Sequence, residues 1–121
     1  MDALKGIVIA LISSLLIAIL FAYMFRIPIP MGGYIGPFGE ISSFNKDVLS
    51  ILNSVLVAWV FYGAFGGFII LPILGAISGI VIGRNYQNSK NKNKMIVLLV
   101  TLVSVIPVFL LSILDYIIGP W

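Results

Sequence analysis

Few side chains in this sequence could do chemistry, and most of those are set in apolar surroundings. Ser50, Asn53 and Ser54 lie between Val48 and Tyr62, with Asp47 just before them. At roughly i, i+3, i+7 spacing these residues share one stripe of a helix. Such a stripe could wall a path for a proton, an ion or a small solute. It could equally hold helices together, since polar groups in hydrocarbon hydrogen-bond across helices. A proton path calls for an ionisable group at the membrane midplane, whereas Asp47 and Asp115 both stand near segment ends. Helix–helix adhesion is therefore the favoured reading. Asp115 is the sole acid inside a hydrophobic segment. A solvated interfacial position suits it, with pairing to Lys5 or to a neighbouring subunit as the alternatives.

The rest of the chemical inventory is sparse. The chain has no Cys and no His. Its own side chains therefore supply no disulfide, no thiolate or imidazole metal site, no Cys nucleophile and no His-based triad. No glycine-rich loop leads into a Lys-Ser/Thr pair, and GxSxG, HExxH and carboxylate clusters do not occur. The sequence predicts no catalytic residues, no metal, no cofactor and no independent enzyme activity. A non-catalytic place in a membrane enzyme stays open.

Composition explains the scarcity. Of 121 residues, 61% are hydrophobic and 9% charged, with a mean hydropathy of +1.20. Soluble domains carry about 25% charged residues. This chain has too little polar surface to cover a water-soluble globule, so it is expected to be a single integral-membrane domain over 1–121. The net charge of +3 comes largely from Arg84 to Lys94, RNYQNSKNKNK, which holds four of the seven basic residues and no acid. Lys and Arg concentrate in cytoplasmic loops, so loop 84–94 is expected on the cytoplasmic side of a multi-pass protein of the cell membrane. Nucleic-acid binding would call for a basic groove with aromatic platforms and is not expected.

The elements that must position these residues are apolar helices. Val48 to Gly83 runs 36 residues without a charge, about 54 Å as one straight helix against a hydrocarbon core of about 30 Å. The sequence therefore either turns back, with Gly63 to Gly67 as the turn, or lies partly flat on the membrane. The first option gives four spans at about 4–25, 43–62, 67–86 and 95–118. It places Arg26, Lys46, Arg84, Lys90, Lys92 and Lys94 inside against Lys5 outside. The second gives three spans plus an interfacial helix over Val48 to Ala58. Then Lys5 and the four basic residues of loop 84–94 are inside, against Arg26 and Lys46 outside. Small polar residues near mid-depth in every proposed span (Ser13, Ser14, Asn53, Ser54, Ser78, Thr101 and Ser104) make four the preferred count. Pro72 and Pro107 are expected as static kinks.

Arg26 to Asp47 is rich in Pro and Gly yet not polar. It is expected to be an ordered loop covering its own bundle, with contact to a partner as the alternative. Ser42 or Ser43 would cap the next helix. Gly75, Gly79 and Gly83 recur every four residues, and Gly63 and Gly67 repeat the spacing. Glycines so spaced line one face and let another helix approach closely. The expected fold is thus all-α, a polytopic transmembrane bundle. The expected partners are the lipid bilayer and either other membrane subunits or further copies of the chain. The expected role is an accessory or structural subunit of a larger membrane complex. The alternative is a small homo-oligomeric channel or transporter with a polar path along Ser50, Asn53 and Ser54.

Overall fold

The computed structural model describes residues 1–31, 33–38 and 47–118. Among the described residues, three helical elements are long and apolar enough to cross a membrane: Asp2–Met24, Val48–Asn85 and Lys92–Ser112. The first is α1 and the last α4. The middle one consists of α2 (Val48–Tyr62), a π-helical bend (Gly63–Gly67) and α3 (Phe68–Asn85). A short α5 (Leu114–Ile118) follows α4. Between α1 and α2 the chain forms one antiparallel hairpin, β1 (Ile27–Ile29) with β2 (Gly33–Ile35), in which Ile27 faces Ile35 and Ile29 faces Gly33.

The preferred count of four spans does not hold. At 15 residues, α2 reaches only about 22 Å, short of a core of about 30 Å. Gly63–Gly67 bends the chain without reversing it into a hairpin. Trp59 and Phe68 touch across the bend, with ring centroids 5.0 Å apart, but among the described residues α2 and α3 do not run side by side. The bend turns on Gly66 at φ 131°, ψ −15°, a conformation open to glycine and strained for any residue with a Cβ. The proposed cap at Ser42 or Ser43 lies outside the described residues.

α1 is the spine of the bundle. Its buried small residues fall at every fourth position: Gly6, Ala10, Ser14, Ala18 and Ala22. α3 lies antiparallel to the amino-terminal half of this row and buries Leu71, Gly75, Gly79 and Gly83 against it. A Cβ at Gly75 would stand 2.8 Å from that of Ala10, and one at Gly79 would stand 3.1 Å from the Gly6 Cα. The two backbones therefore touch, which only small residues on both sides allow. α4 runs parallel to α1 and buries a row of the same spacing: Ile96, Val100, Ser104, Val108 and Ser112. α2 covers the other half of α1, with Val55 and Ala58 joining Ile17, Ala18 and Ala22 in one cluster.

The hairpin closes that cluster from above, and Ile27, Ile29 and Ile35 are buried in it. The segment thus covers its own bundle with these three residues, while Met31 at the hairpin tip and Phe38 remain exposed. Phe38 donates its backbone N–H to the Phe25 carbonyl at 3.2 Å. Gly36, at φ 133°, lies so close to Phe25 and Arg26 that a Cβ there would collide with their backbone. Both prolines lie inside continuous helices, Pro72 in α3 and Pro107 in α4.

Candidate functional site

Among the described residues, three places combine polar groups with apolar surroundings: the end of the bundle where the chain starts, the outward face of α2, and the cleft beneath the hairpin. At the first, Asp2 Oδ2 pairs with Lys92 Nζ at 2.7 Å, and Lys5 Nζ donates to Asn93 Oδ1 at 3.0 Å. Asp2 also sits against Gly83, where a Cβ would meet its carboxyl group. Its charge suits the positive end of the α1 dipole. The start of α1, the end of α3 and the start of α4 are therefore clamped together. The pairing considered for Asp115 with Lys5 concerns α5, which follows α4 at the end of the bundle away from Lys5. The Asp115 side chain itself lies outside the described residues.

The outward face of α2 carries Leu49, Asn53, Leu56, Val57 and Val60, all exposed. Asn53 is the only amide in this apolar stripe. Ser50 and Ser54 flank it half-buried. Among the described residues none of the three makes a side-chain hydrogen bond. The remaining small polar residues behave differently from expectation. Ser13, Ser78, Thr101, Ser104 and Ser112 donate to carbonyls three or four residues back in their own helices, at 2.6–3.3 Å. A hydroxyl can satisfy itself in this way without a second helix. Ser14 is the exception, for it donates to the Leu11 carbonyl at 2.8 Å and accepts from Trp59 Nε1 at 2.9 Å. That bond joins α1 to α2.

Of the five glycines singled out, Gly75, Gly79 and Gly83 form the α3 face against α1. Gly63 and Gly67 sit in the bend. Gly63 faces the Phe68 ring, and Gly67 the Tyr62 carbonyl, 3.0 Å from where its Cβ would be. Sequence reasoning missed Gly6, which it placed in the first span without a packing role. The signal was present, since Gly6, Ala10, Ser14, Ala18 and Ala22 repeat the spacing that marked α3.

It also missed Arg26. This residue follows α1 and would ordinarily reach water or headgroups, yet it is 6% exposed. Its Nε donates to the Ser112 carbonyl at 2.8 Å. Ser112 ends α4, where carbonyls have no partner within the helix and the dipole is negative. The guanidinium carbon lies 4.1 Å from the ring centre of Tyr34 and 4.7 Å from that of Tyr116, within cation–π range. One cation thus joins the end of α1, the hairpin, α4 and α5. No spacing rule would have shown this, because its partners come from distant segments.

Beneath the hairpin lies a cleft of about 1370 Å³. Arg26, Tyr34 and Tyr116 stand at its hairpin end. Ser14 and Trp59 lie on its wall, and the bend with Ile70 and Leu71 closes the other end. Most of the wall is apolar, and among the described residues it offers no nucleophile–base pair. No protein-family model matches the chain, and no characterised protein or solved structure shows significant similarity to it.

Proposed function

We propose that the chain is an accessory, non-catalytic subunit of a larger membrane assembly, docked through the outward face of α2. The observation that carries this reading is Asn53. Its amide is exposed in the middle of an apolar stripe, with Leu49 81% and Val57 53% exposed around it. An amide in hydrocarbon is costly until it finds a hydrogen-bond partner. A helix of another subunit would supply one and cover the stripe. The glycine face gives no competing surface, since α1 already occupies it.

The same reading places the protein in the cell membrane with three spans and with loop 84–94 in the cytoplasm. In its support, Lys5, Arg84, Lys90, Lys92 and Lys94 gather at one end, against Arg26 at the other. The direct test is extraction from native membranes in mild detergent, comparing the wild-type chain with Asn53→Leu. A complex of fixed stoichiometry with other chains, lost on substitution while the monomer keeps its unfolding temperature, is the expected result. A discrete homo-oligomer whose solute flux falls with Asn53→Leu would instead favour a channel lined by Ser50, Asn53 and Ser54 of several copies.

A further inference from the structure

We infer that the outward face of α2 packs in parallel against α2 of a second copy of the chain, with the two Asn53 amides hydrogen-bonded to each other across a twofold axis. The inference rests on docking through this face and names the helix that covers it. Spacing is the first support. Leu49, Asn53, Leu56 and Val60 are separated by four, three and four positions, and all four are exposed. At 3.6 residues per turn they fall within an arc of about 60°. Val55 and Ala58, the buried residues of α2, lie on the opposite side of the helix. Alternation of three and four is the pattern of a two-stranded seam, here with leucine at one of its positions and Asn53 and Val60 at the other. The buried rows of α1, α3 and α4 repeat every fourth residue instead. The α2 face thus suits helices crossing at about +20°, a geometry those rows do not follow. Gly63 would continue the pattern but is buried against the Phe68 ring. The seam therefore ends at the bend, after about 16 Å.

The chemistry of Asn53 is the second support. A carboxamide carries two N–H donors and an acceptor oxygen, so two amides facing each other are mutually complementary. Among the described residues Asn53 makes no side-chain hydrogen bond within its own chain. In water, asparagine at such a position lowers stability while fixing register and strand number. In hydrocarbon, apolar faces gain nothing by leaving lipid. There the amide pair supplies attraction, and Leu49, Leu56 and Val60 supply fit. Symmetry is the third support. Copies of one chain enter the bilayer in the same orientation, so about a twofold axis along the membrane normal their α2 helices meet in parallel. Asn53 then faces Asn53 with no adjustment of register, as a self-complementary interface requires. Unlike helices commonly select each other by opposite charges beside the seam. No charge lies between Val48 and Gly83, so this face calls for no partner of opposite sign.

Disulfide trapping in native membranes tests this, in a chain with no thiol of its own. Under mild oxidation, Leu56→Cys and Val60→Cys should each link two copies of the chain. Ile77→Cys is the control, since Ile77 is as exposed on α3 (56%) as Val60 is on α2 (53%), and it should not link. In mild detergent the wild-type chain should dimerise. Asn53→Leu should raise the dissociation constant about tenfold without changing the unfolding temperature of the monomer. Asn53→Gln keeps the amide and should retain most of the affinity. No link at Leu56→Cys or Val60→Cys would overturn the inference, as would equal yield at Ile77→Cys or an undiminished Asn53→Leu dimer. Recovery with other subunits, lost with Asn53→Leu, in a chain that never links to itself would also overturn it and leave docking through α2 standing. A linked pair recovered with no other subunit would support the second copy and overturn the accessory role.

Discussion

Gly66 is the residue on which the middle element turns. Its φ of 131° excludes side chains by backbone conformation alone, since no atom lies within 4 Å of where a Cβ would be. Gly66→Ala should therefore cost about 1–3 kcal/mol, read as a lower unfolding temperature in detergent. Full stability with the bend intact would show that the conformation is not strained. The Trp59–Ser14 bond is a second residue-scale test. Comparing Trp59→Phe, Ser14→Ala and the double variant isolates the bond from packing. A coupling of about 0.6 kcal/mol is expected, the average for such bonds in membranes. It is small because the Ser14 hydroxyl keeps its bond to Leu11 in every background that retains it. Residue types disclosed this level unevenly. A serine in a hydrophobic run signals a polar group needing a partner, but not whether the partner is its own backbone. Arg26 beside a span resembles any interfacial cation until the fold brings Ser112, Tyr34 and Tyr116 to it.

At the scale of elements, one rule repeats. α1, α3 and α4 each bury residues at every fourth position. Four residues advance the helix by 400°, about 40° beyond a full turn, so each row winds slowly around its helix. Rows of this kind are the ridges of i±4 packing, and glycine-lined versions favour close, right-handed crossings. Backbone contact makes the α1–α3 seam intolerant of bulk. Gly79→Leu should destabilise by about 3 kcal/mol or more, at or beyond the upper end for overpacking. Ile77→Leu, on the lipid side of the same helix, should change stability by less than about 0.5 kcal/mol. Thermal unfolding of the two variants in one detergent decides between them, and equal effects would show that the seam can spread. The α3 half of this seam was legible because glycine stands out. The α1 half was not, because alanine and serine at the same spacing read as ordinary span residues. The hairpin escaped notice for another reason. Pro28 and Pro30 favour extended chain before them, but pairing is a relation between two segments, which local preference does not encode.

At the scale of the molecule, composition alone established a membrane helical protein, and the number of crossings was what it left open. A long charge-free run can bend or reverse with the same residues, since in hydrocarbon no polar turn marks the difference. Three crossings put the hairpin and loop 84–94 on opposite sides of the membrane, whereas four put them on the same side. Single cysteines at Met31 and at Ser89, both exposed, distinguish the two in a chain with no native thiol. A membrane-impermeant reagent should label Met31→Cys in intact cells and Ser89→Cys only after lysis. Labelling of both, or neither, from outside would restore the even count.

The clamps at the two ends of the bundle also bear on biogenesis. Lys5 meets Asn93 across 88 positions of sequence, and Arg26 meets Ser112 across 86. α1 enters the bilayer long before the helix that locks either of its ends exists. Until α3 follows, its row of small residues faces lipid without penalty, because glycine, alanine and a self-satisfied serine expose nothing that hydrocarbon rejects. The chain can therefore wait in the membrane, assembled in order but unfastened, until insertion of α4 closes both ends at once.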